Sequence, residues 1–253
     1  MVIEGAMIHV AGRGGVGRPK GMRHGDGKRD VEKIAGRLGK IQGRARFVRE
    51  TPDVRRQALI EATAQCLAEK GVAATSVRAI CARAGVSAGL LTHYFDGVDA
   101  LILATYREVG NKVAAALEQA VAEAGPDPLD RLWAYIRANL QPPVLDPNLL
   151  ATWISFWSLV KTSPEIAATH AETYGGSRER LEVLLREAAP QIPRPAARIA
   201  AIGLTAMLDG LWLELCLDSS TFTIDEALEM AREAMTYVLQ KPRDEPVDQR
   251  VVG

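Results

Sequence analysis

Neither sign of charge is in excess: 31 Lys and Arg balance 31 Asp and Glu, so total charge announces no polyanionic partner. Cysteine is scarce. Cys66, Cys81 and Cys216 lie far apart among apolar neighbours, which argues against a disulfide framework or a paired-cysteine zinc site and suits buried, reduced thiols. The four histidines, His9, His24, His93 and His170, have no metal-ligand spacing and no Cys or Ser nucleophile motif beside them. The glycine run at 12–17 has neither a preceding strand nor the lysine of a phosphate loop. These gaps lead to the expectation of a non-enzyme with no metal and no cofactor. No apolar run approaches the ~20 residues that cross a bilayer. The N-terminus lacks the apolar centre of a signal peptide, so the chain is expected in the cytoplasm and off the membrane.

What the sequence does hold is unevenly spread. Residues 1–50 carry 12 Lys and Arg against 5 Asp and Glu, leaving 19 against 26 for the rest, a basic arm on an acidic body. The arm is rich in Gly and Arg without a helical or strand period. It is expected to be a disordered extension, either a minor-groove arm or an inert tail from a misassigned start. Residues 51–110 and 111–240 are expected to form two helical domains, with 241–253 a disordered tail.

From Pro52 the pattern turns helical. Leu59, Ala62 and Cys66, with Ile60, Thr63 and Leu67 one position on, make one apolar stripe that ends at Gly71. Val77, Ile80, Cys81 and Ala84 give a second short helix, and Ser87 to Phe95 a third. Asp96 and Asp99 have the spacing of a cap and its partner for a fourth helix, which reaches Ala124 and stops at Gly-Pro-Asp-Pro. Leu129 to Leu140 is a fifth. Asp146-Pro147 and Ser163-Pro164 open the sixth and seventh, each with proline at the first helical position. The prolines at 190, 193 and 195 precede an eighth, and Thr223 with Glu226 forms a capping box for a ninth. No alternating strand pattern stands out, so the fold class is all-α with about nine helices.

Residues 76–95 carry the chemistry. Gly85 follows the last periodic residue of the second helix, where a left-handed residue costs least without a Cβ. Val86 packs back and Ser87 caps the next helix, giving the three-residue turn of a helix-turn-helix. At 100° per residue, Leu90, Leu91, Tyr94 and Phe95 fall on one side of the third helix, and Ala88, Gly89, Thr92 and His93 on the other. Small residues permit close approach to DNA, while Thr92, His93 and the tip of Tyr94 can donate to phosphates or base edges. The helix N-terminus adds partial positive charge. Arg55, Thr75, Ser76, Arg78 and Ser87 complete the candidate DNA-binding set.

These residues resemble the TetR family of repressors over Arg55 to Val109, above all in Ala82-Arg-Ala-Gly-Val-Ser-x-Gly followed by His93-Tyr-Phe. The resemblance implies a helix-turn-helix domain on a helical ligand-binding and dimerisation domain, a palindromic double-stranded operator, and repression. One position departs: the family usually carries a phosphate-reaching lysine three residues after the phenylalanine, where this chain has Val98. Arg55, Arg56, Arg78 or the basic arm then have to supply backbone contacts.

In the C-terminal half, Trp153, Phe156 and Trp157 share one helical face, and Asp209 and Trp212 are an i, i+3 pair. Aromatic faces beside a carboxylate suit an organic cation through cation–π attraction; aromatics at this spacing equally suit a core. Trp153-Ile-Ser-Phe-Trp157 and the 203–212 segment look like the BetI type of repressor, which implies choline as effector and betaine-pathway genes as targets. A cationic drug or a fatty acyl-CoA is the alternative effector, and a ligand-binding dimer without DNA binding the remoter alternative. The eighth helix (Ile199, Ile202, Ala206, Leu215) and the ninth (Leu228, Ala231, Met235, Val238) are candidates for a homodimer interface, or for closing the monomer's own core.

Overall fold

The computed structural model describes residues 51–240; the expected basic extension at 1–50 and tail at 241–253 lie outside the described residues. Among them are nine helices in the order α1 (Pro52–Ala74), α2 (Val77–Ala84), α3 (Ala88–Tyr94), α4 (Gly97–Glu123), α5 (Pro128–Ala138), α6 (Pro147–Leu159), α7 (Pro164–Ala188), α8 (Arg194–Leu217) and α9 (Ile224–Gln240).

Local chemistry sets most of the boundaries. α1 is interrupted where expected, because Gly71 sits at φ 68° and ψ −177°, outside helical space. Asp127, Asp146 and Ser163 cap α5, α6 and α7 through their side-chain oxygens. Each is followed by a proline whose missing N–H would have had no partner in a first turn. The capping box on α9 is reciprocal: Thr223 N–H donates to Glu226 Oε2 at 2.7 Å, and Glu226 N–H to Thr223 Oγ1 at 3.2 Å. Asp96 departs from expectation. It precedes α4 but makes no side-chain cap bond, and its ψ of 67° lies outside the extended conformation that aims a capping oxygen at the first turn.

Two cores result. Leu59, Ile60, Cys66, Ile80, Leu91, Phe95 and Leu101 join α1 to α3 with the start of α4. A larger core gathers the rest, including Tyr106, Leu117, Ile136, Phe156, Leu184 and Trp212. α4 serves both, and Val98 packs against each; the expected domain division at residue 110 therefore falls inside an unbroken helix. α6 is also fastened to α1, with Thr152 Oγ1 donating to Ala64 O at 3.4 Å and Ser155 Oγ to Leu67 O at 3.1 Å.

One expectation is corrected. α8 is long and apolar enough, by length and composition, to cross a membrane, with a mean hydropathy of 1.6 over its best window. Its sequence is apolar all round because one side enters the core at Ala197, Ala201, Leu204, Leu208 and Trp212 while the opposite side also carries apolar residues. Ile199 and Ile202 on that outer side are 59% and 40% exposed. On α9, by contrast, Ala231 and Met235 are used up in the monomer's own core, as is Leu215 of α8, while Met230 and Tyr237 face outward.

Candidate DNA-reading face and ligand cavity

The turn between α2 and α3 has the geometry that the sequence requires. Gly85 adopts φ 66° and ψ 29°, and Val86 N–H donates back to Cys81 O at 3.1 Å, a left-handed helix stop. Ser87 Oγ then accepts from Leu90 N–H at 3.3 Å. Leu91 and Phe95 anchor α3 in the small core, leaving Ala88, Gly89, Thr92 and His93 exposed. His93 and Tyr94 meet edge to face, with ring centroids 5.2 Å apart. Thr92 donates within the helix, to Gly89 O at 3.1 Å.

The other candidate DNA-binding residues divide. Ser76 and Ser87 are exposed N-caps, and Arg78 is exposed on α2; Arg55 is half-buried near the start of α1. Thr75 differs from expectation. It is 7% exposed and its hydroxyl donates to Gly71 O at 2.8 Å, so it closes the break in α1 instead of facing solvent. Arg83 is held by Glu69 and Gln65. Arg56 lies 5.1 Å over the Phe95 ring, which places a cation beside the end of α3. Val98, where a lysine was expected, contributes packing only.

Beyond this face a cavity of about 540 Å³ opens among α4, α5, α6, α7 and α8. Trp153, Asp209 and Trp212 line it, as expected. Tyr174 lines it too, its ring 6.3 Å from Trp153. Trp212 is fixed by donating Nε1–H to Val144 O at 2.9 Å. Burial pushes the Asp209 carboxyl up to about 6, opposed by the charge of Arg178. Burial and the Asp209 charge also raise the Tyr174 phenol. A carboxylate desolvated among aromatic faces gains most from a diffuse organic cation, which brings charge without demanding hydration.

Phe156 and Trp157 do not line the cavity. Phe156 is fully buried and stacks on Tyr106 at 4.3 Å, and Trp157 packs against Trp153 and Trp212, both at 6.5 Å; they support the wall from behind. Most of the lining escaped the sequence reading, Tyr174 and Thr169 among it. Tyr174 follows His170 by one turn on α7, a spacing that was available as a signal, and His170 Nδ1 lies 2.9 Å from the Tyr106 hydroxyl. Thr169 had no such signal, because only the packing of α7 turns it inward. Among the described residues no cluster of metal-ligating side chains occurs.

The same chain is similar to known proteins over both halves. Residues 59–105 match the model for bacterial regulatory proteins of the tetR family, and residues 128–240 match the C-terminal domain of BetI-type transcriptional repressors. The HTH-type transcriptional regulator BetI of Stenotrophomonas maltophilia is 33% identical over 187 residues, covering 74% of this chain and 94% of that protein. Its counterpart in Paraburkholderia phymatum is 34% identical with the same coverage. A Rhodococcus transcriptional regulator of known structure is 28% identical, with a TM-score of 0.63 over 73% of this chain and 96% of that one. A Saccharomonospora viridis protein solved in complex with choline shares the fold, at 19% identity and a TM-score of 0.63, covering 73% of this chain and 97% of that one. The chain therefore belongs to the TetR family, as a DNA-binding transcriptional repressor with a BetI-type C-terminal domain.

Proposed function

We propose that this repressor acts as a cytoplasmic homodimer on a palindromic operator and is released by an organic cation of the choline class, which ties it to betaine-pathway genes. The observation that carries the effector reading is Asp209, a buried carboxylate lining a cavity with Trp153, Tyr174 and Trp212. The choline bound to a protein of the same fold supports the same chemistry. Binding DNA uses Ala88, Gly89, Thr92, His93 and Tyr94 of α3, with Ser76, Arg78, Ser87 and Arg55 positioned for the phosphate backbone.

Release follows from population shift. A cation that binds a conformation with altered spacing of the two α3 helices draws the dimer from DNA, by no more than its differential affinity for the two states. The test is calorimetric titration of choline against its uncharged carbon isostere 3,3-dimethylbutanol, with a gel shift on the DNA upstream of the protein's own gene. Choline should bind and release the shifted band while the isostere does neither. Equal binding of the two, or no effect of either, overturns the reading.

A further inference from the structure

The cavity is long, and its length constrains what fills it. Tyr106 Oη lies 2.9 Å from His170 Nδ1, a Cβ on Gly110 would stand 3.2 Å from Thr173, and Arg180 binds Glu118 at 2.6 and 2.9 Å. α4 and α7 thus run side by side in the same direction. Their cavity-lining residues extend from Arg107 to Glu118 and from Thr169 to Leu181. At a rise of 1.5 Å per residue, the walls are about 16 to 18 Å long. α8 runs against α7, since Arg194 meets Glu182 at 3.3 Å and Ile202 shares a groove with Gly175. Asp209 is thereby level with the Thr169–Tyr174 stretch, at one end only.

The two ends differ in chemistry. Asp209 and the rings of Trp153, Tyr174 and Trp212 occupy the first, with Arg107, Glu172 and Thr169, whose hydroxyl is buried without a hydrogen-bond partner in a side chain that is 2% exposed. The far end holds Tyr135, Asn139 and Ser177 beside the Glu118–Arg180 pair, which neutralises itself; Asn139 Nδ2 donates to Tyr135 O and Ser177 Oγ to Thr173 O, which leaves their oxygens to accept. Between them the lining is apolar, with Val113 and Leu117 beside smaller residues. Ala114 and Gly176 stand at corresponding levels of the two walls, and a Cβ on Gly176 would meet no atom within 4 Å. A trimethylammonium head with a two-carbon arm fills the first end and leaves the rest of a volume suited to a drug-sized ligand.

We propose that the effector is an elongated organic cation: its ammonium sits among Asp209 and the aromatic rings, an apolar linker passes between Ala114 and Gly176, and an uncharged hydrogen-bonding terminus reaches Asn139 and Ser177. This rests on the organic-cation reading and specifies its length and second pole.

Calorimetric titration of the full chain with choline, decyltrimethylammonium and (10-hydroxydecyl)trimethylammonium, each below its micellar concentration, tests it. The hydroxydecyl compound should bind at least about thirtyfold more tightly than choline, and more tightly than the decyl compound. Gly176→Leu, which places a strong helix former where there is open space, should bring the long compound to within roughly threefold of choline. Ala114→Leu, from the opposite wall, should do the same, so the outcome does not hang on one variant folding. Choline binding as tightly as the long cations, or a length advantage that survives both substitutions, overturns this proposal alone. Equal affinity of the decyl and hydroxydecyl compounds overturns the assignment of the far end. If no cation binds and Asp209→Asn changes nothing, this proposal and the organic-cation reading fall together.

Discussion

Asp209 concentrates the cost and the use of the cavity in one side chain. Burial raises its carboxyl to about 6 from an ordinary 3.8, so the folded protein holds that proton more tightly than the unfolded chain does. Its contribution to stability in the ligand-free protein is therefore fully present below about 4 and is lost as pH rises through about 6. Cation binding has the opposite sign, because only the ionised form attracts it. Affinity for an organic cation should be constant above pH 7 and fall as the solution is acidified through 6; titrations from pH 5 to 8 would show this. Asp209→Asn should remove the pH dependence and weaken binding roughly 10- to 100-fold, the range for a lost hydrogen-bonded or charge contact. On the other face, His93 is exposed, with the Tyr94 ring edge to face beside it. His93→Ala should leave thermal stability within about 0.5 kcal/mol while costing about 1–3 kcal/mol of operator affinity where the ring reads a base. Unchanged affinity in a gel shift would remove His93 from the reading set.

At the scale of elements, the turn at Gly85 is the sharpest test of why this segment folds as it does. A Cβ there meets no atom, yet φ is +66°, so substitution is penalised through the backbone alone. Gly85→Ala should destabilise by roughly 1–2 kcal/mol, and Gly85→Asn by less, because asparagine tolerates the left-handed region. Thr223→Ala should cost about 1 kcal/mol by opening the capping box of α9. Chemical denaturation measures both. These elements were readable because their signals are local: a proline after Asp146 or Ser163, a glycine after Ala84, and Thr223 three residues before Glu226 act within one turn. Asp96 shows the limit of such spacing, since its backbone angles, set by how α4 leaves the small core, take its carboxylate out of reach. The cavity was half readable for a related reason. Periodicity put Trp153, Phe156 and Trp157 on one face, but the packing of α4 and α7 decided that Trp153 meets the cavity and Phe156 meets Tyr106. Thr169 faces inward only through that cross-helix packing, which no single helix encodes.

For the whole molecule, the unanswered surface is the outer side of α8. Ile199 and Ile202 are exposed there with Gly203 and Ala206 beside them, and Met230 and Tyr237 stand outward on α9. Apolar residues in this number on two helices stabilise a folded chain only when something covers them, and in the proposed homodimer a second copy would complete a four-helix bundle. Function asks for the same arrangement. One α3 offers a short reading face whose exposed side chains bring little positive charge, because Val98 supplies none and the described body lies in the acidic part of the sequence. Such a face gains little from counterion release, so a single copy should hold DNA weakly at physiological salt. Two copies joined at α8 and α9, with their α3 helices about 34 Å apart, meet successive major grooves and add their contacts. Ile199→Lys with Ile202→Lys touches neither the reading face nor the cavity, yet places two charges where the copies meet. The double variant should sediment as a folded monomer with unchanged helical content, still bind the cation, and lose operator binding by at least about 100-fold. A variant that stays dimeric, or that binds the operator as a monomer, would show that these helices do not set the spacing of the two reading heads.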